Sequence, residues 1–146
     1  MTSETKVVSE LYRILKVLYG VVPIVAGLDK FTNLLTDWSR YVAPPVARLL
    51  PFSPETFMGI VGVIEIAAGV LVLSKFTRWA ALIVSAWLVG IALNLLLGGF
   101  YDIAVRDLSM AVGAYGLSRL AEVRAPSSAR ARSHTLTPEA RTPARV

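Results

Sequence analysis

The sequence predicts an all-α protein, an integral membrane four-helix bundle with a partly helical outer loop and a disordered C-terminal tail. Three observations carry this. Hydrophobic residues make up 55% of the 146 positions and charged residues 17%, with mean hydropathy +0.60, too apolar for an ordinary water-soluble domain. Long apolar stretches recur through residues 11–35, 55–73, 77–97 and 101–120, separated by short polar or Pro/Gly-rich breaks. The basic residues flank these stretches instead of forming a patch, which fits membrane topology and argues against a nucleic-acid partner despite the net charge of +5.

Residues 1–10 are polar and are expected to fray. An apolar helix then begins near Leu11. Its uninterrupted core, residues 17–28, covers only about 18 Å, against roughly 30 Å of hydrocarbon. It therefore reads either as a signal-peptide core or as a spanning helix over 11–35 that shelters Asp29 and Lys30. Pro23 is expected to kink it, and Gly20 and Gly27 to let neighbours pack closely. Residues 31–54 form the longest connection, with Trp38, Tyr41, Phe52 and four prolines. A short interfacial helix near 36–42 and an irregular outer cap follow from that composition, with Trp38 and Tyr41 as interfacial anchors or as the lining of an outer mouth. Ser53-Pro54 suits a helix start, with Ser53 as cap and Pro54 at the first helical position.

The second span carries one carboxylate, Glu65, at its middle. Gly62, Glu65 and Gly69 are spaced i, i+3, i+7, so they share a face suited to close helix packing. Lys75 and Arg78 lie in the next turn, Trp87 and Asn94 in the third span, and Gly98-Gly99 ends it. The fourth span contains Arg106 and Asp107, and residues 123–146 form the basic tail that is expected to be disordered. Basic residues before span one, between spans two and three and after span four place both termini in the cytoplasm.

Glu65 then lies roughly 15 Å below the outer end of its helix, and Arg106 and Asp107 roughly 8 Å below theirs. Asn94, Asp29 and Lys30 fall in the same outer half. Asp29, Lys30, Glu65, Arg106 and Asp107 sum to −1, which allows two ion pairs and leaves one carboxylate. Glu65 is expected to pair with Arg106, and the odd acid to be protonated or to face an outer cavity, where it would carry a proton or hydrogen-bond a quinone-like carbonyl. The alternative is that these charges only clamp helices together. The chain has no cysteine, and its single histidine, His134, sits in the tail, so thiol chemistry, an intramembrane haem held by histidine and a metal centre are not expected.

A glycine-rich first helix ending in GLDKF, the segment GIVGVIEIAAGVLVL and the opening YDIAVRDL together resemble the DoxX-like family of small bacterial four-span membrane proteins, over about residues 11–120. The resemblance implies an inner-membrane protein linked to a quinone-dependent redox or oxidative-stress system. It further implies that Glu65 and Asp107 are intramembrane polar positions and that Gly27, Gly62 and Gly69 are packing glycines. No catalytic residue follows from it. With no redox centre of its own, the chain is expected to work as a small subunit or accessory protein with a protein partner or as a homo-oligomer among membrane lipids. A structural membrane partner without ligand, and a small proton or anion transporter, are the alternatives.

Overall fold

A computed structural model describes the backbone of residues 3–134 and the side chains of residues 3–124. Four long helices carry the chain: α1 (Ser3–Thr32), α3 (Pro54–Leu73), α4 (Thr77–Leu97) and α5 (Tyr101–His134). Between α1 and α3 lie a 3-10 turn (Trp38–Tyr41) and the one-turn helix α2 (Pro44–Ala47). No strand occurs among the described residues. Helix α1 packs mainly on α3 and α4 mainly on α5, and contacts of α3 with α4 and of α1 with α5 close the ring. The connection between α1 and α3 and the α4–α5 turn lie at one end of the ring, here the cap end. The N-terminus and the α3–α4 turn lie at the other.

One helix limit differs from expectation. Helix α1 starts at Ser3, so residues 3–10 are helical and not frayed. Their polarity bears on contact with lipid and not on helicity, and Glu4 in the first turn complements the helix dipole. Helix α5 runs from Tyr101 to His134 and so takes in the first part of the basic tail. The rest of the expected tail, residues 135–146, lies outside the described residues.

The helix ends follow local chemistry. Ser53 caps α3, its hydroxyl accepting from Thr56 N, with Pro54 in the first turn. Helix α4 closes in a Schellman motif: Gly99 takes φ +81°, its N–H donates to Leu96 O, and Phe100 N donates to Leu95 O at 2.9 Å. Helix α1 ends at Asn33, whose φ of +50° asparagine tolerates better than most side chains.

Glycines set the α1–α3 contact. A Cβ on Gly27 would lie 2.5 Å from the Gly62 carbonyl oxygen, and one on Gly62 2.7 Å from that of Gly27. One helical repeat away, a Cβ on Gly69 would run into the Gly20 carbonyl oxygen, while one on Gly20 would meet the Leu73 side chain. The face of Gly62, Glu65 and Gly69 is thus turned to protein, as their spacing predicts. The core between the helix pairs is built from small residues: Ala80, Ala81, Ala114 and Val84 around Tyr19 and Leu117. The Tyr19 hydroxyl donates to Met110 O at 2.7 Å and occupies the place that a side chain at Gly113 would take.

Helices α1, α3 and α4 are each long and apolar enough to cross a membrane. The first eighteen residues of α5 carry three charges, Asp102, Arg106 and Asp107, which sets that helix apart.

Candidate functional site

The polar residues named above gather at the cap end, in an arrangement that differs from the expected one. Glu65 pairs with Lys30 and not with Arg106: Lys30 Nζ stands 2.6 Å from Glu65 Oε2, with side chains 4% and 13% exposed. The reason is helical geometry. Side chains lean toward the N-terminus of their own helix. Helices α1 and α3 run antiparallel, so Lys30 leans away from the cap end while Glu65 leans toward it. The two converge beside the Gly27–Gly62 contact. Arg106 instead donates from Nε to Asp107 Oδ1 at 3.1 Å. Asp107 points inward, 8% exposed, which turns its chain neighbour Arg106 outward, 63% exposed. Asp107 still lies close enough to Glu65 and Lys30 for its charge to act on both.

Trp38 covers the pair. The Lys30 ammonium sits 3.9 Å from the indole centroid, a cation–π contact. Asp29 holds the indole in place, accepting from Trp38 Nε1 at 2.8 Å. The same carboxylate accepts from Leu34 N at 3.0 Å, from Leu35 N at 3.1 Å and from Thr32 Oγ1 at 3.1 Å. Asp29 is therefore the odd acid of the charge count. Its carboxylate oxygens form a hydrogen-bond cap for the segment leaving α1. The four remaining charges, Lys30, Glu65, Arg106 and Asp107, cancel in two pairs. Beside Asp29 an open groove of about 310 Å³ runs along Val25, Leu28, Thr32, Leu34 and Leu35.

Tyr41 joins this cap, edge-on to Trp38 and to Phe100, with ring centroids 6.3 and 5.0 Å away. Asn94 fastens it to α4: its Nδ2 donates to Tyr41 O at 2.7 Å and its Oδ1 accepts from Ala43 N at 3.0 Å. Both halves of the amide are thereby used on backbone, so Asn94 serves as a clip between α4 and the cap. Asn94→Leu would leave a fully buried Ala43 N–H and the Tyr41 carbonyl without partners, a loss of about 1–3 kcal/mol. The expected result is faster amide hydrogen exchange at Ala43 and proteolysis within residues 33–52, with the Lys30–Glu65 region still protected.

All the named residues except Arg106 thus meet the cap cluster with inward-facing groups. Sequence reasoning missed the Lys30–Glu65 pairing and the use of Trp38 as a cover. The pairing follows from the opposed lean of α1 and α3 once the two are known to be antiparallel neighbours. Among the described residues no group of three His, Cys, Asp or Glu side chains is placed to hold a metal ion.

Comparison with known families matches the DoxX family model to residues 11–97, more than half of the chain. The match takes in Asp29, Lys30, Trp38, Tyr41, Glu65 and Asn94. It ends before α5, so Arg106 and Asp107 lie beyond it and the resemblance seen in YDIAVRDL is not covered. No curated protein and no solved structure matches the chain.

Proposed function

This chain belongs to the DoxX family of small membrane proteins, and on that premise we propose that it is an accessory subunit of a quinone-linked redox or oxidative-stress system in the bacterial inner membrane. In this reading α5 is a fourth span, both termini are cytoplasmic and the aromatic cap faces outward. Electrons come from a protein partner, because a chain without cysteine and with a single histidine has no redox centre to supply them. The observation that carries the reading is the buried Lys30–Glu65 pair beneath Trp38. A charged pair at that depth is costly to maintain, which supports reading it as the receiver of a polar headgroup. The apolar groove beside Asp29 suits a hydrocarbon tail next to that headgroup.

A second reading, that the charges only lock the helices, is favoured by the saturation of Asp29 and Asn94 with backbone partners. Purification in mild detergent, with bound quinones and co-purifying proteins identified by mass spectrometry, separates the two. Quinone or a redox partner recovered with the wild type and lost from the Lys30→Met/Glu65→Leu double variant supports the accessory role. Equal recovery from both, or recovery of lipids alone, leaves the structural reading.

A further inference from the structure

The outward faces of the helices are not alike. Helix α1 presents Ile14, Leu18, Val21, Val25 and Leu28, a face suited to lipid. Helix α5 exposes Asp102, Arg106 and Ser109 at i, i+4, i+7 on one face. Gly116, seven residues further on, has nothing within 4 Å of its Cβ position. Arg106 bonds Asp107 through Nε alone, and its two Nη nitrogens make no ion pair among the described residues. The Asp102 carboxylate makes none there either. Asp102 lies in the first turn of α5, at its outer end, and Arg106 one turn deeper, where an exposed charge on a spanning helix is not left to hydrocarbon.

We propose that this α5 face is the seam of a parallel homodimer, in which Arg106 of each copy pairs with Asp102 of the other. The inference rests on the reading of α5 as a span. One cation and one anion, a turn apart on a single face, are self-complementary about a two-fold axis along the membrane normal. Arginine leans toward the N-terminus of its helix, the direction in which the second copy's aspartate lies. Ser109, whose hydroxyl is turned back onto Val105 O at 2.9 Å, and Gly116 let the two backbones approach.

The absence of native cysteine makes single-cysteine cross-linking in membranes a clean test. Ser109→Cys and Gly116→Cys are expected to give a disulfide-linked dimer under mild oxidation, and Val21→Cys on the α1 face none. In the Ser109→Cys background, Arg106→Asp is expected to abolish the dimer and the added Asp102→Arg to restore it. Cross-linking at Val21 equal to that at Ser109 overturns the seam. So does a monomer whose bound anionic lipid is lost with Arg106→Asp, since Arg106 then serves a headgroup. Labelling with a water-soluble maleimide distinguishes the underlying failure. Ser109→Cys labelled in intact membranes shows that α5 does not span, and the seam falls with it. Ser109→Cys protected but never cross-linked leaves the span and overturns the dimer alone.

Discussion

Lys30→Met and Glu65→Leu are each expected to destabilise the protein by about 3–5 kcal/mol, and the two together by much less. Each single change leaves one charge in a place where its partner's side chain was 4% or 13% exposed, with no water to take over. The double change removes both charges and fills the space with apolar atoms. The two single variants should also differ from one another. Without Glu65, the Lys30 ammonium keeps the indole of Trp38 and lies within reach of the Asp107 charge. Without Lys30, Glu65 and Asp107 are left as like charges with only Arg106 to compensate, and Arg106 is turned outward. Lys30→Met should therefore be the worse of the two. Equilibrium unfolding of the detergent-solubilised protein, by heat or denaturing detergent, measures all three variants. Single variants within about 1 kcal/mol of wild type, the range of an exposed pair, would show that water reaches the site.

The recovery of the double variant has a second use. A double variant that is stable, but loses a partner or quinone recovered with the wild type, would separate the work of the pair from its contribution to folding. That separation is what allows the accessory role and the purely structural role to be told apart.

What could be read from the sequence was what depends on nearest neighbours along the chain. Ser53-Pro54 starts a helix and Gly98-Gly99 stops one because cap and turn chemistry is local. The spacing of Gly62, Glu65 and Gly69 correctly turned Glu65 toward protein. The identity of its partner depends on which helices are adjacent, whether they are antiparallel and how far each side chain leans. None of these is encoded in the spacing within a single span. Asp29 shows the same limit. As an acid near the end of an apolar stretch it resembles a functional group, yet four donors from the following nine residues claim it. Polarity misled at the N-terminal helix limit. Residues 3–10 read as unstructured because they are hydrophilic, yet they are helical from Ser3.

Gly27→Ala and Gly62→Ala should each be far more damaging than their one added methyl group suggests. The new Cβ would sit 2.5 or 2.7 Å from a backbone carbonyl oxygen of the facing helix. A side-chain end can rotate away from such a clash, whereas a carbonyl moves only with its helix. Helices α1 and α3 must then separate, at a cost at or above the usual 1–3 kcal/mol or so for overpacking. Separation also lengthens the 2.6 Å Lys30–Glu65 contact, which lies three residues along from each glycine. The glycine and ion-pair losses should therefore overlap: adding Gly27→Ala to the Lys30→Met/Glu65→Leu variant costs less than adding it to wild type. Gly90→Ala supplies the control. Gly90 lies inside α4 with nothing within 4 Å of its Cβ position, so alanine there should be neutral or stabilising by up to about 1 kcal/mol. Unfolding measurements on Gly27→Ala, Gly62→Ala and Gly90→Ala decide the matter. If all three behave alike, the close approach of α1 and α3 is not what holds Lys30 against Glu65.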